Sequence, residues 1–292
     1  NIPLCLIILI FGYFFIPETK SEDTQQYMDT RGIILFILLL LFIMVPVSLG
    51  KHWPELWWLL VGAIPCTKLL WSVEKNSEFR GQKPILPPSL FKTPMVITGF
   101  ISEMTVTFAY PGYLFVTALC LQSELHFSSI ESGNTFITLG ATFFIGSLLS
   151  KRLSQRIRGH HIYILGAILT VIGFLGTILL IGHYHSDINF YQLWGATGVI
   201  GFGNSMMLTS AYRITLSQVG KHHASEASSA LATVQQGCFA LGTAFAGAVY
   251  SYSISYGYLH AISLSVGTLS ILLLIVGIPT NIKSANQPQI CT

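Results

Sequence analysis

Nine stretches of this sequence are long, apolar and nearly free of charge: 2–16, 32–50, 57–73, 95–121, 132–149, 162–182, 190–212, 227–250 and 257–278. A helix needs ~20 residues to span a ~30 Å hydrocarbon core. Most of the runs meet that length; the first and third are short. Their apolar residues are continuous rather than alternating, and a backbone facing lipid must satisfy its hydrogen bonds within itself. The sequence therefore predicts an all-α integral membrane protein, a polytopic helical bundle of nine spans. Only 9% of the 292 residues are charged and the mean hydropathy is +0.63, whereas soluble domains carry about a quarter charged residues.

Charge placement predicts how the spans thread. If the first run crosses from outside to inside, the inside loops hold Lys20, Arg31, Lys75, Arg80, Lys83, Lys92, Lys151, Arg152, Arg156, Arg158, Arg213, Lys221 and Lys283. That is 13 of the 15 basic residues. Lys51 is left outside and Lys68 falls within the third run. Basic residues collect on the cytosolic side, so the expectation is a multi-pass protein of the inner or plasma membrane with a cytoplasmic C-terminus. The basic cluster 151–158 then reads as a positive-inside loop, and no nucleic-acid partner is expected.

The 95–121 run carries the chemistry. Glu103 is an acid expected well inside hydrocarbon, where an ionisable group is costly and marks a functional site by default. Thr107 and Tyr110 follow four and seven residues on, sharing its face of a helix. Pro111-Gly112 is expected to interrupt that helix. Glu103 has two readings: a group whose proton occupancy changes during transport, or a carboxylate near enough to the inner surface to snorkel or pair with Lys92. Asn204, Gln235 and Gln236 are polar groups in or near helix cores, read equally as cavity lining or as interhelical hydrogen bonding. Lys68 is read as snorkelling toward the inner interface near Glu74. Trp53, Trp57, Trp58 and Trp71 near span ends read as an aromatic belt.

Other features carry less. Ala240, Ala244 and Ala248 recur every fourth position near Gly237, Gly242 and Gly247, and small residues let helices approach closely in lipid. The histidines 160, 161, 183, 185, 222 and 223 fall in loops; His183, His185 and Asp187 have a spacing that could hold a metal outside, but short loop histidines are mostly solvated, and no metal site or cofactor is expected. The cysteines 5, 66, 120, 238 and 291 are scattered and suggest neither a disulfide framework nor a zinc site. No arrangement of nucleophile and base can be placed at one depth, so the chain is not read as an enzyme. It begins Asn-Ile-Pro without a methionine, and its first run lacks a signal peptide's basic start and cleavage site. The expectation is a piece of a longer protein.

At these residues the sequence resembles the major facilitator superfamily, in particular its fourteen-helix drug:proton antiporter branch. Residues 1–4 resemble the start of that family's sixth helix and Pro17-Glu18-Thr19 its end. Asp29 and Gly32, then Trp53-Pro54 and Trp57, resemble the extra helix pair between the two halves. Glu74, Pro84, Leu90 and Phe91 resemble the linker into the seventh helix. Gly146, Leu148, Lys151 and Arg152 resemble a degenerate copy of the cytosolic loop motif between helices eight and nine, with Ser150 where an Asp often stands. Gly201-Phe202-Gly203 and Ala224, Gln235, Gln236, Gly242 and Ala244 resemble helices ten and eleven, with Gln235-Gln236 where the family often has Arg-Gln.

The resemblance implies three segments: 1–17 as the last helix of an N-terminal bundle, 18–94 as an inserted helix pair with its linkers, and 95–292 as a C-terminal six-helix bundle. It implies a secondary transporter, with proton-coupled efflux of small amphipathic or cationic compounds, and partners limited to lipid, protons and a small-molecule substrate. A periplasmic adaptor is left open. The alternatives are a same-fold carrier of a siderophore or metabolite, a non-transporting membrane fragment or scaffold, and a membrane-embedded enzyme needing a second acid or His near Glu103.

Overall fold

The computed structural model describes residues 2–15, 29–80, 82, 84–220 and 223–285. Residues 17–28, with Lys20 and Pro17-Glu18-Thr19, and also Lys83, Lys221, His222 and Cys291, lie outside the described residues. All the regular structure described is helical, and each of the nine apolar runs forms helix. The helices are α1 (Ile2–Phe15), α2 (Thr30–Leu49), α3 (Leu59–Phe79), α4 (Pro94–Ser123), α5 (Ser129–Thr135), α6 (Ile137–Leu153), α7 (Gly159–Tyr184), α8 (Trp194–Leu216), α9 (Ala224–Ser253), α10 (Tyr258–Leu272) and α11 (Ile278–Ala285). A π turn, Leu273–Gly277, joins the last two.

Among the described residues, seven helical stretches are long and apolar enough to cross a membrane. They include α5 with α6 as one stretch and α10 through α11 as another. Two expected spans fall short for different reasons. α1 has 14 residues, about 21 Å at 1.5 Å per residue. α8 has 23 residues, but its glycines, serines, threonines and Asn204 lower its hydropathy. Its position in the packing supplies the reason: α8 lies between α6 and α7 and also touches α4, so its polar groups face protein instead of lipid.

Local chemistry sets several boundaries. Asp29 caps α2, its Oδ1 accepting from the Gly32 amide at 3.0 Å, which satisfies one of the four unpaired amides of a helix start. Ser128 and Glu131 form a reciprocal capping box that starts α5, earlier than the apolar run suggested. Pro94 stands in the first turn of α4, where a missing amide costs nothing. Pro111 does not interrupt α4, contrary to expectation: the helix runs unbroken over 30 residues. Proline is tolerated in spans where neighbouring helices support the backbone, and Gly112 beside it lies close against Gly242 and Ala246 of α9.

Contacts at the helix ends sort the chain onto two faces. At one face Lys51 Nζ donates to Ser251, Trp194 Nε1 donates to the Asn134 carbonyl at 3.0 Å, and His185 bonds Tyr258 at 3.2 Å. At the other, Arg213 donates to the Ser154 carbonyl at 3.5 Å and His160 meets Asn281 at 3.1 Å. Lys151 and Arg152 end α6 and Arg158 precedes α7 at the second face, and Lys51 stands at the first.

The core runs along the centre of α4, α7, α8 and α10 and includes Tyr113, Tyr163, Phe174, Ile200 and Val266. Tyr113 stacks on Phe174 at 4.6 Å and bonds Thr177 at 2.9 Å, so it is a packing residue. Glycines bring the axes close. A β-carbon on Gly242 would stand 2.0 Å from the Phe108 carbonyl oxygen, and one on Gly201 2.1 Å from that of Leu139.

Candidate transport site

Residues 103–110 of α4 define the site. In this segment the hydroxyls fold back on the helix: Thr105 donates to the Ile101 carbonyl and Thr107 to the Glu103 carbonyl, each at 2.6 Å. Their polarity is thereby absorbed within one helix, as lipid requires.

Glu103 is completely buried. Neither carboxylate oxygen has a hydrogen-bond partner among the described residues. Lys92, offered by the sequence as a possible partner, is exposed and forms no ion pair; the ion pair found among the described residues is His223 with Glu226 at 3.0 Å. Glu103 is thus not paired with Lys92. A charged group at the centre of a span costs about 2.5–3.5 kcal/mol even on lenient scales, so an unpaired carboxylate here is neutral or is kept for a purpose.

One turn further on, Thr107 and Tyr110 line a cavity of about 250 Å³ between α4, α6, α8 and α9. Asn204 of α8 lines its opposite wall, with Leu208 and Phe239 among the apolar residues. The Asn204 side-chain oxygen is buried and without a partner among the described residues, so it stands as an open acceptor. Glu103 does not line this cavity. The structure thus brings together three of the sequence-selected residues, Thr107, Tyr110 and Asn204, with Glu103 behind them.

The two glutamines separate. Gln236 lines a larger open groove of about 800 Å³ between α2, α4 and α9, with Lys51, His52 and Phe115. Gln235 accepts from the Tyr212 hydroxyl at 3.4 Å and reaches neither space. Ala240, Ala244 and Ala248 line the groove, so the alanine ladder expected to pack against a helix faces open space; the close approach falls to Gly242 on the adjacent face. Gly146 is not in a loop. It sits inside α6, where a β-carbon would stand 2.2 Å from Ser205 Oγ, and Lys151 and Arg152 form the last turn of α6.

Several residues escaped the sequence reading. His160, taken as a solvated loop residue, is buried in the first turn of α7. Asn281 lies beyond the last apolar run, yet it is fully buried and donates to Ser102 Oγ at 2.8 Å. Glu74, assigned to a linker, is buried at the end of α3 and accepts from the Leu86 amide at 3.1 Å. Only three-dimensional neighbours distinguish these residues; no local pattern marked them.

A membrane bundle of antiparallel helices, with a buried acid beside a cavity between them, defines the class as a polytopic carrier-type membrane protein. The profile of the Major Facilitator Superfamily matches residues 1–242 and again 95–289, and the chain belongs to that superfamily. It is 24% identical over 256 residues to the probable actinorhodin transporter of Streptomyces coelicolor, covering 86% of this chain and 44% of that protein. It is 23% identical to the tetracenomycin C resistance and export protein of Streptomyces glaucescens, over 85% of this chain and 45% of the relative. To the methylenomycin A resistance protein of Bacillus subtilis it is also 23% identical, over 88% and 54%. The chain thus spans about half the length of the curated relatives it matches.

Proposed function

We propose that this chain is the C-terminal part of a proton-coupled exporter of small amphipathic or cationic compounds, with its basic face and C-terminus in the cytosol of an inner or plasma membrane. In this reading 1–17 is the last helix of a first bundle, 18–94 an inserted pair, and 95–292 the second bundle. Relatives named for transport or resistance to actinorhodin, tetracenomycin C and methylenomycin A support the export assignment. Gly146, Lys151 and Arg152 serve as the cytosolic motif at the end of α6.

The observation that carries the coupling is Glu103: buried, without a hydrogen-bond partner, and one turn from the cavity wall formed by Thr107, Tyr110 and Asn204. In alternating access the two bundles rock about a central site. Opening toward one side admits water to Glu103 and releases its proton; closure favours the neutral acid. The cavity is mostly apolar, which suits an amphipathic substrate, and the ionised carboxylate attracts a cationic one.

The test uses the full-length protein in inverted vesicles, following ethidium transport driven by an imposed proton gradient. Glu103→Gln abolishes gradient-driven transport while expression and folding stay normal. Transport by that variant at the unchanged protein's rate removes Glu103 from the mechanism. Gradient-dependent movement of a siderophore but not of ethidium moves the assignment to the metabolite carriers of the same fold.

A further inference from the structure

Glu103 makes no side-chain hydrogen bond among the described residues, so the backbone it hangs from sets where its carboxyl stands. That backbone is held at two points, and the side chain of the neighbouring Ser102 is held at a third. Thr107 Oγ donates to the Glu103 carbonyl. Tyr163 of α7 donates to the Ser102 carbonyl at 3.1 Å. Asn281 of α11 donates to Ser102 Oγ at 2.8 Å. We propose that Asn281 is a positioning residue for Glu103, acting through Ser102, and that His160 sets Asn281 from the inner cavity. The proposal rests on the reading of Glu103 as the coupling acid.

The chemistry of the amide fixes its direction. Asn281 Nδ2 also lies 2.9 Å from the Gly277 carbonyl, which can only accept. The nitrogen therefore faces Gly277 and Ser102, and the oxygen faces His160. His160 Nδ1, at 3.1 Å from that oxygen, must carry a hydrogen. Nε2 is then the nitrogen free to gain or lose a proton. The π turn Leu273–Gly277 comes immediately before α11, and such turns re-aim the side chains that follow them, often at functional sites. Here it delivers Asn281 to the junction of α4, α7 and α11.

His160 lines a cavity of about 540 Å³ at the basic face, with Arg158, Tyr212 and Arg213. The titratable and charged groups around it are Arg158, which precedes α7, His161 on α7, Tyr212 and Arg213 on α8, and Glu103 beyond Ser102 on α4. A proton on Nε2 adds positive charge to a wall already holding two arginines, and like charges at close range favour opening of that wall. A change at the cavity is thus carried through Asn281 to the residue next to Glu103.

The experiment measures gradient-driven ethidium transport by the full-length protein in proteoliposomes as a function of pH. Asn281→Leu and Ser102→Ala each remove one link. Loss of one buried hydrogen bond corresponds to about a ten-fold drop in kcat and about one pH unit in its midpoint, with KM unchanged. His160→Gln keeps a donor for Asn281 without a titrating ring; it preserves kcat and flattens the pH profile. Ser102→Ala is small enough to fold even if Asn281→Leu does not. Glu103→Gln is run alongside. If it abolishes gradient-driven transport while Ser102→Ala and Asn281→Leu leave the midpoint in place, the positioning role is wrong and the coupling role stands. If Glu103→Gln transports at the unchanged protein's rate, the coupling role itself fails. An unaltered pH profile in His160→Gln overturns the link from the cavity. A shifted midpoint with normal Tm in Ser102→Ala, and loss of transport in Glu103→Gln, supports both.

Discussion

The most apolar window of α2 has a mean hydropathy of 3.0 and is 11% buried; that of α4 has 1.5 and is 56% buried. In a soluble protein the order is the reverse. Here the greasier helix presents side chains such as Ile34, Ile37 and Leu41 outward, and the helix carrying Glu103, four threonines and Ser102 goes inside. Lipid tails are as apolar as leucine, so association of helices comes from close packing and polar contacts, not from hiding hydrocarbon. The α2–α3 pair meets by modest contacts, such as Phe42 against Gly62 and Cys66 Sγ donating to the Leu35 carbonyl at 3.5 Å. The bundle from α4 onward is held by glycine approaches and a dense set of hydroxyl bonds between helices, such as Thr138 with Thr197 at 2.8 Å and Ser150 with Thr209 at 2.6 Å.

Truncating matched positions breaks or sharpens that contrast. Phe174→Ala removes a fully buried ring stacked on Tyr113 and is expected to cost about 3 kcal/mol, whereas Leu41→Ala, half exposed on α2, costs under about 1 kcal/mol. Thermal unfolding in a mild detergent reads both; equal losses erase the contrast. Glycine substitution gives the smaller effect. Gly242→Ala forces a β-carbon onto the Phe108 carbonyl and costs about 1–3 kcal/mol. At Gly62→Ala the nearest neighbour is the Phe42 ring at 3.3 Å, which can swing aside, and no loss is expected.

Hydropathy made the helices legible, because a backbone in lipid has few other options. It also marked Glu103, an acid deep inside an apolar run. Thr107 and Tyr110 followed from the 3.6-residue period of the same helix. The periodicity of α9 was legible but its two faces were not: Gly242 makes the close contact and Ala244 faces a groove, a difference set by α4 and α2. Pro111 signalled a break because local chemistry allows one, but neighbouring helices override it. His160 and Asn281 are 121 residues apart, and each alone looks like an ordinary polar residue near a span end. Their meaning lies in a contact that depends on the π turn, which no composition or period announces.

Proton release on substrate binding most directly tests the coupling of Glu103 to transport. Purified full-length protein in weakly buffered solution, held at a pH where Glu103 keeps its proton, is mixed with saturating tetraphenylphosphonium and a pH indicator. About one proton released per bound cation is expected from the unchanged protein, and none from Glu103→Gln. Equal release from both, with equal binding, would contradict it.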